Sequence, residues 1–118
     1  MAVQRYTGGC QCGAVTYEVD ADLDNTMTCN RSRRQKLGAV LAFAPRDRFE
    51  LTSGEQNLSE YLFNTKKIRH LFCKTCGIES FAFGAMPGGS PIAAINVNCL
   101  EGVEPRSLSS RAVDGRSL

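Results

Sequence analysis

No sign of charge dominates this chain. Its 118 residues carry 14 Lys and Arg against 12 Asp and Glu, a formal net charge of +2, and the two signs are mixed along the sequence. The basic field expected of a dedicated nucleic-acid binder is absent, so no nucleic-acid partner is expected. Long apolar runs are missing too. The longest, Leu37 to Ala44, falls far short of the ~20 residues of a spanning helix, and no membrane association is expected. The first residues, Met1-Ala2-Val3-Gln4-Arg5-Tyr6, lack the apolar core of a signal peptide, which makes a cytoplasmic location the expectation. Helical periodicity is scarce, and neither an internal repeat nor a long linker interrupts the chain. A chain of this size buries roughly two-thirds of its unfolded surface, enough for one core, so residues 1–118 are expected to form a single domain.

Cysteine is abundant by contrast, at six residues. Without an export signal, metal ligation is favoured over a disulfide framework. Cys10-Gln11-Cys12 and Cys73-Lys74-Thr75-Cys76 form two tight pairs, while Cys29 and Cys99 stand alone. Zinc takes four ligands tetrahedrally at about 2.3 Å per thiolate, and short Cys loops followed by Gly13 and Gly77 let both sulfurs converge without strain. Cys10, Cys12, Cys73 and Cys76 are therefore expected to form one zinc site. A redox Cys-x-x-Cys would want a βαβ context, and no helix signal follows Cys73.

The remaining pattern is that of strands. Val15, Tyr17 and Val19 alternate with Thr16 and Glu18, and similar alternation marks Phe49 and Leu51, Tyr61 and Phe63, and Phe81 and Phe83. Leu37 to Phe43 and Pro91 to Val97 read as two further strands, six in all. From about Leu100 the chain turns polar and Gly/Ser-rich, and an irregular tail is expected. The fold class is mainly β.

Several ordered blocks carry a resemblance: Gly8-Gly9-Cys10-Gln11-Cys12-Gly13-Ala14-Val15-Thr16-Tyr17, then Ser53-Gly54-Glu55 with Leu58 and Tyr61, then Arg69-His70-Leu71-Phe72-Cys73-Lys74-Thr75-Cys76-Gly77, and Asn96-Val97-Asn98-Cys99-Leu100-Glu101-Gly102-Val103. From Gly8 to about Gly115 the chain resembles the glutathione-dependent formaldehyde-activating enzymes, a family that includes centromere protein V. The resemblance implies a β-tent fold, two folded antiparallel sheets pinned by a structural zinc, whose ligands fall on Cys10, Cys12, Cys73 and Cys76. It also implies a second, catalytic zinc held by a Cys-x-Cys-x-x-Cys motif. That motif aligns with Cys29-Asn30-Arg31-Ser32-Arg33-Arg34, where only Cys29 remains a cysteine. Arg31 and Arg34 occupy the other two ligand positions, and a guanidinium offers a cation no lone pair. One structural zinc is thus expected, with the second lost.

The family's chemistry is of the carbon–sulfur lyase type, joining a thiol such as glutathione to a small aldehyde to give a hydroxymethyl thioether. With a degenerate second site, weak or no activity is expected. Cys29 is the candidate catalytic residue, and Arg31 and Arg34, within a cationic loop that includes Arg33 and Lys36, are candidates for docking ligand carboxylates. The same loop read as a solvated surface points instead to a non-catalytic, zinc-stabilised module for an anionic partner. His70, the only histidine, is expected in a packing or hydrogen-bonding role, and Cys99 as a small apolar side chain. Tyr61, Phe63, Phe72, Phe81 and Phe83 read as core.

Overall fold

Period-two burial builds the first structural layer. In β2 (Thr16–Ala21), Tyr17, Val19 and Ala21 are buried and alternate with half-buried Thr16, Glu18 and Asp20. This strand pairs antiparallel with β1 (Gln4–Gly9) on one side and with a later strand, Phe49–Ser53, on the other. The computed structural model describes residues 3–29, 32–62, 68–86, 88–108 and 110–113. After β2 come β3 (Thr26–Cys29), α1 (Ser32–Leu37), β4 (Leu41–Pro45) and β5 (Phe49–Ser53). They are followed by β6 (Leu58–Tyr61), β7 (Arg69–Cys73), β8 (Phe81–Ala85), β9 (Pro91–Asn96) and β10 (Ser110–Val113). The sheets are a three-stranded β1-β2-β5 and a seven-stranded β10-β3-β4-β9-β8-β7-β6.

The seven-stranded sheet has two working faces, because side chains alternate along each strand. One face presents Ala42, Ala44, Leu71, Phe81, Ala93 and Ile95 to Val15, Tyr17 and Val19 of the smaller sheet. Phe49 joins them, stacking on Tyr17 with ring centroids 5.1 Å apart and meeting Phe81 at 4.6 Å. Such aromatic pairs contribute about 0.5–1.5 kcal/mol each beyond their burial. The other face carries a row set by strand register: Tyr61 opposite His70, His70 opposite Ala82, Ala82 opposite Ala94, and Ala94 opposite Phe43. The two alanines leave shallow ground in the middle of this row, over which the chain around α1 packs.

The mainly β expectation holds, with differences of detail. Ten strands are described rather than six, the additional ones being β1, β3, β7 and β10. The apolar run from Leu37 is not one strand: Leu37 ends α1, Gly38 takes a left-handed φ of 68°, and β4 begins only at Leu41. The cationic segment is helical over Ser32–Leu37 rather than a loop. The chain after Leu100 contains a short 3-10 turn at Pro105–Ser107 and β10, which pairs parallel with β3, so the sheets are not wholly antiparallel. Tyr61 is exposed rather than core, while Phe81 is buried and Phe72 and Phe83 are half-buried. Phe63 lies outside the described residues. Among those residues, no helix is long and apolar enough to cross a membrane.

Candidate metal centre and the pocket beside Cys29

Two turns bring four sulfurs together. The turn between β1 and β2 holds Cys10 and Cys12, and it closes through Cys10 N–H to Val15 O at 3.0 Å. The turn after β7 holds Cys73 and Cys76; Gly77 there has φ of 80° and donates to Cys73 O at 2.9 Å. That left-handed conformation is strained for any side chain-bearing residue. The four Sγ atoms all lie within 4.8 Å of one another. Cys12 sits 3.6 Å from both Cys10 and Cys73. A tetrahedron with bonds of about 2.3 Å has edges of about 3.8 Å, so the spacing matches a thiolate zinc cage.

The donor set also fits a metal in its polarity. The Val15 and Thr75 amides point at the sulfurs of Cys10 and Cys73, each at 3.3 Å, and the Asn57 side-chain amide reaches Cys73 at 3.2 Å. N–H groups aimed at sulfur favour the thiolate. Accordingly the Cys73 thiol is lowered to about 6, chiefly by the Cys76 backbone N–H and then, against the cost of burial, by Thr75 N–H and the thiols of Cys12 and Cys10. Cys76 is lowered as well, first by the Ile78 amide. Cys12 goes the other way, to about 11. The Ala14 amide pulls its thiol down, but burial and the thiols of Cys10, Cys73 and Cys76 together outweigh it. In a metal-free state the cluster therefore shares protons unevenly, and a divalent cation would replace them.

Asn57 was not signalled by cysteine spacing. It closes a 3-10 turn, Glu55–Asn57, that packs against the Cys73–Cys76 turn, where its carbonyl accepts Lys74 N–H at 2.8 Å, while Gly54 just before it lies against Ala14. Gly54 permits this approach: φ there is 93°, and a Cβ would stand 2.3 Å from Ala14 O. The Ser53-Gly54 signal was legible as a turn, but not its contact with the cysteine loop.

The second region lies on the opposite face of the seven-stranded sheet. Cys29, the last residue of β3, is buried and lines a pocket of about 460 Å³ with Thr28, Arg34, Gly38, Ala39 and Val113. Arg34 is half-buried and makes no ion pair with any described residue. Arg31 lies outside the described residues. A three-thiolate zinc does not fit what is described here: Cys29 is the only sulfur lining the pocket, and a cation stands beside it. Among the described residues, the four-cysteine group is the cluster with metal-binding geometry.

Arg33 is not a solvated cation. Its Nε and Nη2 meet Glu79 Oε1 at 2.8 and 2.7 Å, and its guanidinium lies 4.7 Å from the Tyr61 ring centroid. Glu79 Oε2 in turn lies 2.9 Å from His70 Nδ1. His70 is fully buried, three positions before Cys73 and on the other face of β7, so it takes the hydrogen-bonding role and stays out of the four-sulfur group. Glu79 was unmarked in the sequence. Cys99 ends a 3-10 turn, is half-buried, and has its thiol raised chiefly by burial, in keeping with an apolar role.

The model of the glutathione-dependent formaldehyde-activating enzymes matches residues 5–112. The structure superposes with a TM-score of 0.80 on a crystal structure of a Rhodobacter sphaeroides protein determined by structural genomics, at 33% identity over 90% of this chain and 97% of that one. The family match takes in both cysteine turns, β3 and α1, and the likeness extends over both sheets. On these grounds the chain belongs to the glutathione-dependent formaldehyde-activating enzyme family.

Proposed function

We propose that this chain is a single zinc-stabilised domain that keeps the family scaffold but has weak or no thiol–aldehyde condensing activity. The observation that carries this reading is that Cys29 shares one pocket with Arg34, which makes no ion pair with any described residue, where the family resemblance expects metal ligands. One zinc, held by Cys10, Cys12, Cys73 and Cys76, clamps the β1–β2 turn to the β7–β8 turn; soft thiolates favour zinc over hard cations. All six cysteines are unpaired, which agrees with a reducing compartment such as the cytoplasm.

The reaction of the family joins the sulfur of a thiol to the carbonyl carbon of formaldehyde; the carbon–oxygen π bond opens and the thiol proton ends on oxygen. A catalytic metal would hold the thiol as thiolate. In this pocket no such step is available from the residues described, and what remains is recognition. Arg34, with Arg31, would pair with a carboxylate of a glutathione-like thiol, and Cys29 would face its sulfur. The alternative of a module for polyanions is weakened because Arg33 spends its charge on Glu79.

Elemental analysis of protein purified without added metal tests the first part, with about one zinc per chain expected from a single four-thiolate site. Carbon-13 NMR of labelled formaldehyde with glutathione tests the second. The expected result is a hydroxymethyl thioether signal growing no faster with protein than without. A clear protein-dependent acceleration would overturn the reading.

A further inference from the structure

A helix of six residues is too short to persist on its own, since nucleation costs more than one turn of hydrogen bonds returns. In α1 no residue is buried, so an apolar face does not hold it down either. Yet α1 and the residues that follow it wall the pocket in which Cys29 is only 9% exposed. Something else fixes the segment. At its C-terminal end, Asn98 Nδ2 donates to Gly38 O at 3.2 Å, an exposed contact. At its body, the Arg33 guanidinium lies over the rings of Tyr61 and Phe72, 4.7 and 6.0 Å from their centroids, and grips one oxygen of Glu79 with two nitrogens.

We infer that Glu79 is a positioning residue that, through Arg33, latches α1 and with it Arg34 over the thiol of Cys29. Its carboxylate is itself fixed from below: His70 meets the second oxygen, and Asn96 Nδ2 donates to the Glu79 backbone carbonyl at 3.1 Å. His70 and Asn96 stand on strands β7 and β9 of the seven-stranded sheet, so the latch ties α1 to its rigid part. Arg34, the next residue along, lines a small pocket with Ala39, Glu79, Ala82 and Ala94 and also borders the Cys29 pocket. Opening the latch would therefore move the pocket wall and leave the aromatic core between the sheets in place. The inference concerns access to Cys29 and holds whether or not the pocket takes a glutathione-like ligand.

Alkylation of the zinc-loaded protein by iodoacetamide, mapped by mass spectrometry, reads that access, with Cys99 as the internal control. In Arg33→Met the rate at Cys29 should rise about tenfold or more relative to Cys99, as local opening becomes frequent without global unfolding. Amide exchange at Gly38 and Ala39, which donate to Gln35 O and Arg34 O, should quicken in parallel. Arg33→Lys, which keeps charge but loses the two-pronged contact, should fall between. Glu79→Gln should resemble Arg33→Met if it folds; the partly exposed Arg33 site keeps the test valid if it does not. An unchanged Cys29 rate in Arg33→Met, or an equal rise at Cys99, would overturn the latch.

Discussion

The side-chain amide of Asn57 donates a hydrogen bond to Sγ of Cys73 at 3.2 Å and a second to Thr75 Oγ1 at 3.0 Å. One residue outside both cysteine turns thus orients one sulfur of the four-cysteine group and the loop that follows it. Hydrogen bonds of this kind to ligand atoms typically change metal affinity by about 10–100-fold when removed. Asn57→Ala should weaken zinc binding by about tenfold, measured by competition with a chromophoric chelator, with the metal count at saturation unchanged. Equal affinity in the variant would mean that the amide is a packing contact only.

Gly54 should be among the least replaceable residues outside the cysteines. A side chain there meets both a left-handed φ of 93° and the Ala14 carbonyl at 2.3 Å, and neither strain can relax without lifting the 3-10 turn from the cysteine loop. Gly102 has a similar φ of 74° but open space around it, so it isolates the backbone cost, about 1–2 kcal/mol. Urea unfolding should therefore show Gly54→Ala losing clearly more stability than Gly102→Ala. Similar losses would place the whole effect in φ.

The four-cysteine group was legible because its ligands come in two short pairs, each with a glycine after it, and spacing alone converges them. The pattern of β2, β5 and β8 was legible for the same local reason, namely alternation, and β9 as a short apolar run. What stayed hidden depends on register between distant strands. Glu79 gains meaning only when β7 and β8 pair and set it beside His70, and Arg33 arrives from another part of the chain. The helix α1 escaped notice because it has no apolar stripe; it is held by charge. β10 has three exposed residues in four, and only its parallel pairing with β3 makes it a strand.

The unequal thiols of the metal-free cluster give a pH signature. The Cys73 thiol is lowered from 9.0 to about 6, so folding favours its thiolate. Its contribution to stability is complete above the unfolded value of 9.0 and is lost as pH falls through about 6. Cys12, raised from 9.0 to about 11, contributes in the opposite sense: fully below 9.0, with loss as pH rises through about 11. Chelator-treated protein should thus lose denaturant resistance on both sides of a maximum near pH 9, and Cys73→Ser should shrink the acid limb to the share left by Cys76. Zinc-loaded protein should lose stability more steeply as pH falls below 9.0, since the metal keeps all four thiolates deprotonated in the folded state while the unfolded chain takes up their protons. A metal-free profile that is flat on the acid side would refute the depressed Cys73 thiol.

Restoring sulfur at positions 31 and 34 is the most direct trial of the Cys29 region. Cys29 ends β3, and the two positions lie two and five residues on in the sequence, position 34 within α1. Removing both guanidinium groups also removes the cationic barrier that faces Cys29 from Arg34. The double variant Arg31→Cys with Arg34→Cys should bind about one further zinc per chain, because catalytic zinc needs three protein ligands and a vacant position. Neither single variant should do so, since two thiolates leave the metal too few donors. If the latch through Arg33 holds α1 in place, the added metal should also protect Cys29 from alkylation in the double variant. An unchanged metal count would mean that α1 holds position 34 at the wrong distance from Cys29, and that the Cys-x-Cys-x-x-Cys correspondence does not describe this segment.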